Sequence, residues 1–125
     1  MKVTALLVGA LLFLAANDVA HAANMFAGPL FPTGDDTCEC EIVNVSTTAK
    51  SIQIQVISGT GTVLSDTGVF NLAAGQAAAE ISSSSNQLQY CKFVNASATS
   101  FRASIGCFLS GATSAGSDFV ALPAR

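Results

Sequence analysis

Apolar and polar residues alternate with a period of two along most of residues 38–125. In residues 51–57, for example, branched aliphatic residues at every second position are separated by two glutamines. Such alternation is typical of β-strands that bury one face and expose the other. The pattern predicts seven or eight short strands, within residues 38–45, 51–57, 62–65, 69–72, 77–82, 88–94, 100–109 and 118–122.

Glycine-rich and serine-rich turns separate the predicted strands and indicate the fold class. Residues 88–94 and 100–109 are expected to form a hairpin around a short polar turn. Many short strands joined by turns are typical of an antiparallel β-sandwich, the all-β fold that we expect here. A small closed barrel is the alternative. Residues 72–81 are rich enough in alanine for a helix, but Gly75 interrupts them and alternation favours a strand.

Residues 1–22 have the composition of a cleavable signal peptide. Lys2 precedes an apolar run at residues 3–16, and a small-residue cleavage site follows at residues 20–22. The run is shorter than the roughly 20 residues that a membrane-spanning helix needs. We therefore expect a cleaved signal-peptide helix and an exported protein without a membrane span. The predicted division is a signal peptide at 1–22, an apolar lead-in at 23–36 and a β-sandwich domain at 37–125.

The lead-in, residues 23–36, is apolar but irregular. Pro29 and Pro32 argue against a regular helix there. One interpretation is a segment draped over the domain, with its phenylalanines covering the edge of the core. The alternative is an extension that pairs with another subunit, which would make the protein a self-assembling structural subunit.

Four cysteines predict two disulfides in an exported domain of this size. They are Cys38, Cys40, Cys91 and Cys107. Cys38 and Cys40 lie two apart on one predicted strand, where a bond between them would distort the backbone. They are therefore expected to pair with the two later cysteines, in one order or the other. Cys40–Cys91 with Cys38–Cys107 is the preferred order.

A thiol-based metal or redox site is the alternative use of these cysteines. Structural zinc sites and thiol oxidoreductases usually contain a Cys-x-x-Cys spacing, whereas this chain has Cys-x-Cys. We therefore predict neither a metal site nor a cofactor.

The residue composition argues against several kinds of catalysis and binding. His21 is the only histidine and leaves with the predicted signal peptide, so a Ser-His-Asp or Cys-His catalytic arrangement is excluded. Five basic against eight acidic residues give a net charge of −3, and the scattered cations argue against nucleic acid as a partner. Asp35, Asp36, Glu39 and Glu41 fit a solvated acidic edge better than a calcium loop. We expect no enzymatic activity.

Three side chains are candidates for a recognition patch. Tyr90 and Lys92 are expected to face outward on one strand, and Arg102 to face outward on the neighbouring strand of the predicted hairpin. The alternative is that all three are ordinary solvent-facing residues that discourage edge pairing. Polar loops at residues 82–86, 95–99 and 110–117 would present further groups to a partner.

Six short motifs carry a likeness to known sequences. They are CEIVNVS at 40–46, the strand at 52–57, LAAG at 72–75, YCKF at 90–93, FRAS at 101–104 and ALPAR at 121–125. Their order resembles a group of small exported bacterial proteins of uncharacterised function with immunoglobulin-like β-sandwich character. The resemblance implies the fold and export, and it implies no activity.

The sequence thus predicts an exported, disulfide-stapled, non-catalytic binding or envelope-associated module with a protein or glycan partner. A self-assembling structural subunit that uses the lead-in is the alternative function. A thiol-based metal or redox protein is the third.

Overall fold

The computed structural model describes residues 23–32, 36–83, 86–109 and 122–123, and all regular secondary structure in them is β-strand. The strands are β1 (Met25–Leu30), β2 (Asp36–Asn44), β3 (Lys50–Ser58), β4 (Val63–Asp66), β5 (Phe70–Leu72), β6 (Ala77–Ser82), β7 (Gln89–Val94), β8 (Phe101–Leu109) and β9 (Leu122–Pro123). The predicted signal-peptide helix and the predicted loop at 110–117 lie outside the described residues. Within the described ranges, no helix is long and apolar enough to cross a membrane.

The strands form two antiparallel sheets. The first sheet has the order β1-β7-β3-β4. β4 pairs with residues 55–57 of β3, and β5 pairs with residues 50–52 at the other end of the same strand. The second sheet has the order β6-β2-β8-β9. The predicted antiparallel β-sandwich is confirmed, and two separate sheets replace the closed barrel that was the alternative.

The core lies between the sheets and is built from alternate residues of the central strands. Its largest fully buried members come from both sheets: Ile52, Ile54 and Phe93 from the first, and Ile42, Phe101 and Ile105 from the second. Removing one such side chain from water stabilises the fold by about 1.5 to 3 kcal/mol. The alternation in the sequence therefore matches the inward face of the central strands.

Two disulfides connect the sheets and stiffen one of them, which confirms the predicted disulfides and their preferred order. Cys40 of β2 bonds to Cys91 of β7 across the core, with 5.6 Å between the Cα atoms. Cys38 of β2 bonds to Cys107, which lies directly opposite it on β8. Both bonds start from β2. All four cysteines are paired in these two bonds.

The lead-in is not irregular, because residues 25–30 form the edge strand β1 of the first sheet. Met25 and Ala27 are buried and pair with β7, while Phe26 between them faces outward. Pro29 lies where the register of β1 and β7 shifts, and a proline is tolerated on an edge strand at such an irregularity. The prolines exclude a helix, as expected, but they are compatible with an edge strand.

The predicted hairpin of residues 88–94 and 100–109 is wrong. β7 belongs to the first sheet and β8 to the second, and the intervening turn carries the chain from one to the other. Asn95 follows β7 with a positive φ of 62°, and Ala96 is fully buried where the chain crosses. Strands that face each other across a core bury alternate residues just as paired neighbours do, so alternation alone could not distinguish the two arrangements.

β6 is a strand, which excludes the helix considered for residues 72–81. The apolar side chains that alternate along β6 face solvent. Ala77, Ala79 and Ile81 share one face, as the alternation predicts, and all three are exposed. Ser82 is buried on the opposite face, and on that face Glu80 accepts a hydrogen bond from Ser65 of β4. The Ser65–Glu80 bond links the two sheets along one side of the sandwich.

Candidate binding face

The structure divides the predicted recognition patch between two surfaces. Tyr90 and Lys92 lie together on the outer face of the first sheet, whereas Arg102 is on the outer face of the second. The guanidinium of Arg102 donates to the carbonyl oxygens of Ala98 and Phe101, the latter at 2.8 Å. A single patch of all three residues would have required the hairpin that β7 and β8 do not form.

The outer face of the first sheet carries a row of side chains that crosses four strands. Phe26 of β1 is opposite Lys92 of β7, Lys92 is opposite Gln55 of β3, and Gln55 is opposite Asp66 of β4. Three strand spacings make this row about 14 Å long. Together with Tyr90 and Gln53 beside it, we call this row the aromatic–amide face.

Phe26 and Tyr90 form the aromatic end of this face. Their ring centroids are 6.4 Å apart and the rings are tilted by 45°. Phe26 is 47% exposed, which is high for a phenylalanine on a sheet. Gly28 lets β1 approach closely here, because its φ is +103° and an added Cβ would lie 3.3 Å from the Cβ of Tyr90. The aromatic end is therefore open to solvent but held against the sheet.

Gln53, Gln55 and Asp66 form the polar end of the face. The Nε2 group of Gln53 donates to both carboxylate oxygens of Asp66, at 2.8 and 2.9 Å, and Gln55 Nε2 donates to Oδ2 at 2.8 Å. The backbone N–H of Gly68 donates to Oδ1 at 2.7 Å. The Gln55 and Gln53 bonds, with that of Gly68, lower the pKa of Asp66 below its ordinary value. The cluster is thus a fixed anion flanked by two oriented amides.

This face brings together side chains that can stack and form hydrogen bonds. It offers two aromatic rings, an ammonium group and planar amides, all on a surface open to solvent. In the described part of the chain, no group of three or more histidine, cysteine, aspartate or glutamate side chains is placed to hold a metal ion. Side chains of these kinds can hold and orient a ligand through stacking and hydrogen bonds.

The predicted acidic edge lies on the other sheet. Glu39 and Glu41 occupy the outer face of β2, Asp36 begins that strand, and Asp35 is outside the described residues. Burial, and then the charge of Glu41, raise the pKa of Glu39 above its ordinary value. The two carboxylates therefore repel each other on a partly apolar surface.

Two shallow grooves flank Glu41 and Val43 on this second surface. The larger, about 260 Å³, runs beside residues 77–79 of β6, and the smaller, about 170 Å³, runs beside Arg102 and Ser104 of β8. Small side chains on β6 and β8 create both grooves. Arg102 thus belongs to a different surface from Tyr90 and Lys92.

Sequence reasoning missed Phe26, Gln53, Gln55 and Asp66 as members of a site. Alternation did place both glutamines on an outward face, and it is the strand order β1-β7-β3-β4 that groups the four residues. Of the three predicted loops, residues 95–99 are described and follow Val94, which lies opposite Gln53. The loop at 82–86 is described only in part, and that at 110–117 is outside the described residues.

Comparison with known proteins concerns the fold. No protein-family model matches this sequence, and no curated protein matches it. The crystal structure of Thermotoga maritima 1070 is similar, with a TM-score of 0.56 and 9% sequence identity over 83% of this chain and 93% of that one. At this identity the similarity bears on architecture alone, and it supports the two-sheet fold.

Proposed function

We propose that this protein is an exported, disulfide-stabilised binding or envelope-associated module without catalytic activity, and that it contacts its partner through the aromatic–amide face. The observation that carries the proposal is the row from Phe26 through Lys92 and Gln55 to Asp66 on one open sheet surface. The half-exposed phenylalanine and the hydrogen-bonded amide–carboxylate cluster together supply this surface with groups that can contact a partner.

Export is part of this proposal and has two supports. Residues 1–22 have the charge, apolar run and cleavage site of a signal peptide. Two disulfides suit an oxidising compartment. Membership of the group of small exported bacterial proteins with immunoglobulin-like character is likewise a proposal, and the two-sheet fold is its support.

The test is to map where envelope components contact the protein. Isotope-labelled protein is titrated with separated polysaccharide, lipid and protein fractions from the exporting cells while backbone amide NMR signals are followed. We expect shifts at Phe26, Lys92 and Gln55, with Arg102 and Ile81 on the other sheet unchanged. Shifts confined to the other sheet, or none with any fraction, would refute the proposed face.

Self-association is the second candidate function, and β6 favours it more than the lead-in does. β1 is also an edge strand, but Pro29 and the register shift beside it interrupt that strand, which discourages pairing with a second chain. Among the described strands β6 pairs with β2 alone, and it exposes Ala77, Ala79 and Ile81 at the edge of the second sheet. An exposed edge with small apolar side chains can pair with a second strand.

Sedimentation velocity over a range of concentrations tests this second function. If β6 mediates assembly, Ile81→Lys should shift the protein to monomer, because a charge then lies in the apolar row. Val69→Lys, at an exposed site away from β6, is the matched control and should leave assembly unchanged. A wild-type protein that stays monomeric at every concentration excludes the candidate.

A further inference from the structure

We infer that the aromatic–amide face binds a glycan, in the form of a short stretch of polysaccharide laid across β1, β7, β3 and β4. This inference rests on the proposed binding function and names its ligand class. Sugar rings present an apolar C–H face and a periphery of hydroxyl groups. The face offers a matching pair of features, since aromatic rings lie at one end and fixed polar groups at the other.

The aromatic end supplies the stacking surface. Phe26 is nearly half exposed at the edge strand, and Tyr90, 6.4 Å away, continues the apolar surface toward the middle of the sheet. Tyr90 lies opposite Ile57, which is only 5% exposed although it is on the outer face. Ile57 is therefore a covered apolar neighbour of Tyr90 across the two strands. An aromatic ring held in this way can accept the apolar face of a pyranose without reorganising.

The polar end supplies oriented hydrogen bonds. Both glutamine Nε2 groups point at Asp66, so the Oε1 atoms of Gln53 and Gln55 are left as acceptors for sugar hydroxyls. Because Asp66 already holds these amides, little side-chain entropy is lost when a ligand binds. Lys92 lies between the ring and the amides in the register and can donate to hydroxyl, ring or carboxylate oxygens.

The length of the row and its polarity also favour a glycan over a protein partner. The row from Phe26 to Asp66 spans about 14 Å, which accommodates a short oligosaccharide. An apolar protein surface would bury the Asp66 carboxylate and the amides without new hydrogen bonds, which is unfavourable. Hydroxyl groups replace water at those atoms, so a sugar avoids this penalty.

A polysaccharide microarray followed by calorimetry with the best soluble oligosaccharide tests the inference. We expect Phe26→Ala and Gln55→Leu each to weaken binding about tenfold, the loss of one stacking or hydrogen-bonding contact. Arg102→Ala, on the opposite sheet, is the matched control and should change the affinity less than twofold. Circular dichroism and thermal unfolding verify that all three variants remain folded.

The outcomes separate the glycan inference from the proposed binding face. If no glycan binds, but the protein or lipid fraction shifts the amides of Phe26 and Lys92, the glycan inference is overturned and the face stands. If a glycan binds and Arg102→Ala abolishes binding while Phe26→Ala does not, both fall. Binding that depends on Phe26 and Gln55 supports both.

Discussion

Asn44 satisfies three backbone groups from two segments with one buried side chain. Its Nδ2 group donates to the carbonyl oxygens of Thr48 and Leu72, each at 2.9 Å. Its Oδ1 atom accepts from the backbone N–H of Ser46 at 3.0 Å and from the Ser46 hydroxyl at 2.7 Å. The residue thereby ties the β2–β3 connection to the end of β5, and its side chain is fully buried.

Asn44→Ala should therefore destabilise the protein by about 3 kcal/mol, because the buried carbonyl of Leu72 and the part-buried backbone groups of Ser46 and Thr48 lose their partners together. Asn71→Ala, at an exposed position on β5, is the control and should change stability by less than about 0.5 kcal/mol. Urea unfolding followed by circular dichroism measures both. Equal effects of the two substitutions would show that the Asn44 network contributes little.

The lowered pKa of Asp66 gives acid sensitivity with a definite sign. A carboxyl whose pKa is lower in the folded state contributes stability above its unfolded-state pKa, about 3.9 for aspartate, and that stability is lost as the pH falls through the folded-state value. Asp66→Asn removes this contribution. The melting temperatures of wild type and variant, measured from pH 6 downward, should therefore converge as the solution is acidified. The difference between them at pH 6 is expected to be small, because Asp66 is exposed. A difference that grows toward low pH contradicts this assignment.

At the scale of the element, β1 has two faces with separate roles. Met25 is 4% exposed and packs into the core, whereas Phe26 faces solvent on the aromatic–amide face. Met25→Ala should lower the free energy of unfolding by about 3 kcal/mol, as expected for a truncation that leaves a cavity. Phe26→Ala on the same strand is the matched control and should cost less than about 1 kcal/mol. Chemical denaturation compares them, and a tolerated Met25→Ala would mean that β1 is a dispensable addition to the sheet.

Most of the strands after residue 36 could be predicted from the sequence, whereas β1, the neighbours of the strands and their orientation could not. Alternation places Ile52, Ile54 and Val56 on one face correctly, because a strand in the middle of a sandwich buries its most apolar face. In β6 the same pattern points outward, since Ser82 is buried and Glu80 bonds to Ser65 on the inner face. Which face is inward depends on what the rest of the chain packs against it, and the period carries no such information.

At the scale of the whole molecule, the two disulfides differ in access. Cys40 and Cys91 are both fully buried between the sheets, whereas Cys107 at the other bond is partly exposed. Cys40–Cys91 joins cysteines that are 51 positions apart in sequence, and Cys38–Cys107 joins cysteines that are 69 positions apart. By chain entropy each bond therefore stabilises the fold by a similar amount, about 4 kcal/mol. Accessibility is therefore the main difference between them.

Under limiting reductant in native buffer, Cys38–Cys107 should be reduced before Cys40–Cys91. Alkylation of the released thiols and peptide mass spectrometry at successive times give the order. In a denaturant both bonds are exposed, so the order should disappear, which serves as the control. Earlier labelling of Cys91 than of Cys107 in the native protein would contradict the burial of the inter-sheet bond.

The candidate site needed the assembled molecule to be recognised. Tyr90 and Lys92 share a strand, so their outward alternation was visible in the sequence. Phe26 and Asp66 are 40 positions apart in the chain and meet in one row only because β7 and β3 lie between their strands. Arg102 was misplaced for the same reason, since its sheet could not be predicted from its neighbours in sequence.

The Cys38–Cys107 bond also determines how the domain would respond to mechanical force. Tension applied on either side of that bond passes through it directly, so residues 39–106 lie inside a covalent loop that bears no load. Strands β3 to β7, with Lys92, Gln55 and Asp66, are thereby shielded from stretching. β1 lies outside the loop and can be peeled from β7. Pulling on the N-terminal side would thus remove Phe26 from the aromatic–amide face while the rest of the face stayed folded.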